Sequence, residues 1–196
     1  MFRTSRTAVS LLLLPWLLVL TAPAGAGEME LSLTVPRLQV SEYHRPYVAG
    51  WIEREDGSVA AELLVWYQQD RAQDRAQDRA ETRQGGDALK PGEDGRKWLP
   101  DLRQWWRRIG RNQDRPTDAV AGATPPPKTH KRTFAADHPA VRTLQPGHYR
   151  LVVEAVREVG GREVVKLPFD WPVTDAVRHT VHGRSELGEV ALQLKP

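Results

Sequence analysis

Tyr149-Arg150-Leu151-Val152-Val153-Glu154-Ala155-Val156, then Gly160-Gly161, then Glu163-Val164-Val165-Lys166-Leu167-Pro168-Phe169-Asp170-Trp171: this run decides the fold. Tyr149, Leu151, Val153 and Ala155 share one face of an extended chain, and Glu163, Val165, Leu167, Phe169 and Trp171 share one face of its return. Gly160-Gly161 is the turn signal between them, so the run predicts a β-hairpin with an inward Glu163 at its open end. Working outward, Met29, Leu31, Leu33 and Val35 alternate with Glu30, Ser32 and Thr34, which predicts a first strand. Arg45 to Glu53 and Ala60 to Gln68 are rich in aromatic and β-branched residues with Asp56-Gly57 between them, a second hairpin. Strand character resumes near Lys131 to Ala135, and Val190, Leu192 and Leu194 close the pattern. Seven or so short strands with no alternating strand–helix rhythm predict an all-β fold, an antiparallel immunoglobulin-like β-sandwich.

One short helix interrupts the strands. Leu99, Leu102, Trp106 and Ile109 recur at near-helical spacing over Lys97 to Gly110, with Pro100 suited to the first turn and Gly110 to the stop. The tryptophans read either as capping one end of the sandwich or, with Trp105 or Trp98 beside the Asp118 to Thr124 loop, as lying against a planar ligand. Between the second hairpin and this helix, Gln-Asp-Arg-Ala occurs three times from Gln69 to Ala80 and runs on through a polar, Gly-rich stretch. With no apolar face to bury, residues 69–95 read as a low-complexity loop insertion.

The N-terminus reads as a signal peptide over residues 1–26: Arg3 and Arg6, an apolar run from Ala8 to Leu20, and Ala24-Gly25-Ala26 as a small-residue cleavage pattern. The apolar run is too short to span a bilayer and Pro15 interrupts it, so the expected product is an exported periplasmic protein with no transmembrane helix. Residues 27–196 are then long enough for a single domain with a core. The full chain of 196 residues carries 28 Lys and Arg against 25 Asp and Glu. The leader contributes two of those arginines and no acid, so the net charge of +3 falls to +1 without it. Such a balance gives little support to nucleic-acid binding. The charge is uneven, however, with ten Lys or Arg and three Asp between Arg96 and Arg132, a surface suited to an acidic partner, phosphate groups or a membrane. Cysteine is absent, which excludes disulfides, thiolate metal sites, iron–sulfur clusters and c-type haem, and leaves any redox role to an added organic cofactor or a bound metal.

Asp118-Ala119-Val120-Ala121-Gly122-Ala123-Thr124 carries the candidate site. It lies between the Trp- and Arg-rich segment and Pro125-Pro126-Pro127, so an exposed loop is expected, held open because a residue before proline prefers an extended backbone. A hydroxyl on Thr124, flanked by the small Gly122 and Ala123, is accessible to another enzyme in such a loop, and Asp118 is positioned to help hold the loop or the transferase's metal. The run resembles the acceptor motif of extracytoplasmic flavin transferases, in which Asp, three residues and Gly-Ala-Thr precede covalent FMN attachment to the threonine. Ala121 departs from it, standing where Ser or Thr is usual.

His179-Thr180-Val181-His182 is a weak metal candidate, because residues three apart on a strand face opposite sides. Glu154, Arg157, Glu158, Arg162 and Glu163 read as cross-strand ion pairs rather than paired catalytic carboxylates. No hydrolase or phosphate-loop signature occurs, so an enzyme in its own right is not expected.

Tyr43-His44-Arg45-Pro46-Tyr47-Val48, Lys97-Trp98-Leu99-Pro100 with Trp105-Trp106-Arg107, Asp118 to Thr124, Tyr149 to Trp171 and Gly183-Arg184-Ser185-Glu186-Leu187-Gly188 occur in that order. Together they resemble domain-of-unknown-function family 2271, a set of predicted periplasmic proteins. The resemblance implies a setting beside flavin transferases and PepSY-type membrane reductases, and hence an electron-transfer carrier with FMN esterified to Thr124. The alternative is a cofactor-free periplasmic binding or adaptor module that docks through the basic Arg96 to Arg132 surface.

Overall fold

Two sheets stack face to face in the computed structural model, which describes residues 27–69 and 95–196. The expected signal peptide and nearly all of the low-complexity insertion lie outside the described residues. The strands are β1 (Glu28–Thr34), β2 (Tyr47–Arg54), β3 (Val59–Tyr67), β4 (Ala121–Ala123), β5 (Thr129–Phe134), β6 (Gly147–Val156), β7 (Arg162–Trp171), β8 (Val177–His182) and β9 (Glu189–Lys195). One sheet has the order β5-β1-β9-β8 and the other β4-β3-β2-β6-β7. Both hairpins form where the periodicity placed them. β2 and β3 meet across a turn whose Gly57 has φ +78°, a conformation glycine adopts without a Cβ clash, and β6 pairs with β7 from Gly147↔Trp171 to Val156↔Arg162.

The inward residues are the alternating ones. Met29, Leu31, Leu33, Leu151, Val153, Leu192 and Leu194 are all but fully buried in one cluster with Phe134, Trp66 and Trp171. Each such aliphatic side chain contributes about 1.5–3 kcal/mol on leaving water.

A second layer was not legible as such. The outer face of the β4-β3-β2-β6-β7 sheet is covered by a segment that runs as a 3₁₀ turn (Gly95–Asp101), helix α1 (Arg103–Arg108) and a further 3₁₀ turn (Gly110–Asn112). Ala49, Trp51, Val65 and Val152 on the outer face meet Leu99, Leu102, Trp105, Ile109 and Val120 in a separate cluster. The central strands are therefore buried on both faces, which accounts for their near-continuous apolar runs.

The expected single helix over Lys97 to Gly110 is corrected by this arrangement. The chain breaks at Leu102, whose backbone is at φ −72°, ψ 72°, and the break shifts the buried register. Trp105 is fully buried and Trp106 only partly so, the reverse of the helical-spacing expectation. The sandwich is also not wholly antiparallel, since β4 pairs parallel to β3. A four-residue helix, α2 (Pro139–Arg142), joins the two regions of strand on either side of it.

Candidate functional site

Ala121-Gly122-Ala123 is an edge strand. Val120 anchors it by entering the second cluster, and Val120 and Ala121 donate their N–H groups to the Thr117 carbonyl (3.0 and 2.9 Å), a turn that aims the chain along β3. The register is Val65↔Ala121, Trp66↔Gly122 and Tyr67↔Ala123. Gly122 fits because a Cβ there would stand 3.3 Å from Cδ1 of Trp66. Pro125 to Pro127 have no N–H to offer the ladder, so pairing ends at Thr124.

Thr124 is therefore not in an open loop. Its residue is 6% exposed, and its side-chain hydroxyl donates to the Pro46 carbonyl at 3.0 Å. Its N–H donates to the Tyr67 carbonyl at 3.3 Å, and its own carbonyl accepts from Arg45 Nη1 at 3.3 Å. The extended backbone that precedes a proline served to align the residue with the sheet edge rather than to hold it in solvent. Asp118 is exposed on the turn before the strand, while Gly122 and Ala123 are half-buried.

Trp105 is in a different place. It is fully buried under α1, its indole N–H donates to Glu62 Oε1 at 2.7 Å and its backbone N–H to Glu154 Oε2 at 2.8 Å, so its expected role against a planar ligand is corrected to a core anchor. Trp98 is 49% exposed, with Lys97 Nζ 5.3 Å from its ring centroid. The groups bonded to Thr124 come from Arg45 and Pro46 and from Tyr67 of β3. Trp66 meets His130 edge-on at 5.8 Å, and His130 Nε2 lies 2.8 Å from the Pro126 carbonyl, tying the proline run back to the sheet. The neighbourhood of Arg45 and Pro46 with Thr124 was missed, because Pro46 and Thr124 are 78 positions apart and nothing local signals the contact.

The carboxylates near the hairpin hold structure. Glu154, fully buried, accepts from the backbone N–H of Gln104 and Trp105 and from Arg162 Nε at 2.6 Å. Glu163 accepts the backbone N–H groups of Arg184, Ser185, Glu186 and Leu187. Burial alone would raise its pKa, but those four donors hold the carboxyl below its ordinary value. Arg157 pairs with Glu186 at 2.9 Å rather than across its own hairpin. Among the described residues no group of three or more His, Cys, Asp or Glu is placed to hold a metal ion.

The basic surface is uneven in its commitments. Arg108 is tied down, donating to the Gly57 carbonyl at 2.7 Å and lying 3.7 Å from Glu53. Arg103, Arg107, Arg111 and Arg115 are exposed and make no ion pair among the described residues. No helix among those residues is long and apolar enough to cross a membrane.

The model of one family, described as a predicted periplasmic protein (DUF2271), matches residues 28–189. The chain belongs to the DUF2271 family. The match runs from β1 to the first residue of β9, so the DUF2271 region takes in strands β1 to β8, the covering segment and the Asp118–Thr124 run. No curated protein and no solved structure matches the chain.

Proposed function

We propose that this DUF2271 protein is a periplasmic carrier on which a flavin transferase esterifies FMN to Thr124, for electron exchange with a PepSY-type membrane reductase. The observation that carries the proposal is the seven-residue Asp118–Thr124 run, whose closing hydroxyl belongs to the residue that directly follows a three-residue edge strand. The donor set suits a phosphoester in its chemistry: a threonine hydroxyl, with a guanidinium from Arg45 bonded to the same residue. The closed geometry does not suit it, because the hydroxyl points at Pro46 and is buried. Attachment therefore requires the end of β4 to leave the sheet. In the transfer Oγ1 bonds to the flavin-side phosphorus of an activated flavin nucleotide, the bond from that phosphorus to its leaving group breaks, and the hydroxyl proton passes to the transferase. Bound FMN would supply the redox chemistry, with the sandwich as its scaffold.

Co-expression with a flavin transferase tests this. The wild-type chain is expected to gain the mass of one FMN ester and to fluoresce as a flavin on a denaturing gel, and Thr124→Ala is expected to lose both signals. A wild-type chain that keeps its unmodified mass removes the carrier proposal.

A second function is favoured by the burial of that hydroxyl together with the exposed arginines Arg103, Arg107, Arg111 and Arg115, none of which is ion-paired among the described residues. It is a cofactor-free adaptor that docks on an acidic partner through this surface, with affinity that falls as salt rises.

A further inference from the structure

An esterified Oγ1 has no proton to donate, so the Thr124–Pro46 hydrogen bond and a group on Thr124 exclude one another. We infer that β4 is a latch: its end releases from β3 while the sandwich stays folded, and this local opening, not global unfolding, is what exposes Thr124. The inference rests on the proposed modification of Thr124 for its purpose, but the opening is a property of the unmodified chain.

Three features make the release cheap. The strand is three residues long and lies at a sheet edge, with β3 as its neighbour in the ladder. Its side chains are two methyl groups and a hydrogen, all on half-buried residues, so peeling it away exposes little apolar area. Among the described residues three bonds tie Thr124 itself, from its N–H to Tyr67, from its hydroxyl to Pro46 and from Arg45 to its carbonyl, and water can replace each once the edge opens. The flanks confine the motion. On one side Val120 is buried in the second cluster and its carbonyl accepts from Val65 N–H at 2.8 Å. On the other Pro125 to Pro127 form a stiff, extended stretch, and His130 holds the Pro126 carbonyl. The hinge points thus fall near Ala121 and Pro125, and the segment between them is the Gly-Ala-Thr of the acceptor run. On this view Gly122 and Ala123 are small so that the strand detaches, beyond any role in clearing the approach to the hydroxyl.

Residue-resolved hydrogen exchange on the unmodified exported chain tests the latch. The Thr124 amide is expected to be protected, yet roughly a hundredfold less than the amides of β1, β2, β6 and β9, with a rate that barely responds to low urea while theirs rises with it. Equal protection and equal urea dependence would overturn the latch, and so would a Thr124 amide with no protection. Because the chain has no cysteine, Thr124→Cys supplies a single thiol for a second readout. Its labelling is expected to be slower than that of Asp118→Cys and faster than that of Ala191→Cys, and a rate equal to either reference contradicts the inference. Neither measurement involves a transferase. A latch that opens in a chain that never gains FMN overturns the carrier alone, and FMN on a chain whose Thr124 opens only by global unfolding overturns the latch alone.

Discussion

Glu62 and Glu163 are the same side chain in opposite surroundings, and the difference sets the direction of their pH dependence. Glu62 is shielded between β3 and the covering segment, accepting from Trp105 Nε1 at 2.7 Å and facing Gln113 Nε2 at 3.4 Å, with no cation paired to it among the described residues. Burial pushes its carboxyl above the ordinary value, and the two donors offset only part of that. The folded chain then keeps a proton that the unfolded chain has lost, so stability falls as pH rises from Glu62's ordinary value of 4.5 through its raised one. Glu163 runs the other way. Its lowered carboxyl adds stability that is present above the ordinary value and disappears as pH falls through the lowered one. Glu62→Gln keeps an acceptor for the Trp105 indole and removes the ionisation. Thermal unfolding should therefore give the variant a higher Tm than wild type at neutral pH, with the two curves converging as pH drops toward 4.5. An advantage of the same size at both ends of that range would place its origin elsewhere.

Helix α1 shows why elements differ in how far their residues announce them. Its six residues, Arg-Gln-Trp-Trp-Arg-Arg, offer one fully buried side chain and no acidic residue for the first turn, which is poor material for an isolated helix. What fixes it is Glu154, reaching from β6 to accept the N–H groups of Gln104 and Trp105 that open the helix, with Arg162 closing the charge. Removing that carboxylate leaves a buried and a part-buried backbone donor and a guanidinium without their acceptor. Glu154→Ala is expected to cost about 3 kcal/mol, read as a lower urea midpoint at an unchanged slope, whereas an exposed pair such as Arg178–Glu189 should cost well under 1 kcal/mol. The hairpins β2–β3 and β6–β7 were legible because their period of two and their turn residues are local properties. Glu154 was legible as a charged residue on a strand, but its partner helix lies 49 positions away, and nothing near it in sequence points there. The same holds at the candidate site. The run Asp118 to Thr124 can be picked out by its residues alone, but its pairing to β3 and the Pro46 carbonyl depends on contacts that only the folded chain creates.

Across the whole molecule the two hydrophobic clusters have separate memberships but share their strands. Along β2, Val48 and Ile52 face the space between the sheets while Ala49 and Trp51 face the covering segment, and along β6 Leu151 and Val153 lie opposite Val152. That leaves Trp51, Val65 and Val152 dependent on Leu102, Trp105 and Ile109 to keep water off the middle of the sheet. Losing the cover exposes the strands on which the sandwich core is built, so the two layers should unfold as one unit. The tryptophans make this measurable, because Trp51 and Trp105 report on the outer cluster and Trp66 and Trp171 on the inner one, while far-ultraviolet circular dichroism follows the strands. Fluorescence and dichroism are expected to give one coincident transition in urea. Trp105→Ala sharpens the comparison: truncating this fully buried ring should cost about 3–5 kcal/mol and move both signals to lower urea together. If the fluorescence transition of the variant moves while the dichroism transition stays at its wild-type midpoint, the cover melts by itself, and the sandwich must then carry its own stability with one face of its central strands exposed.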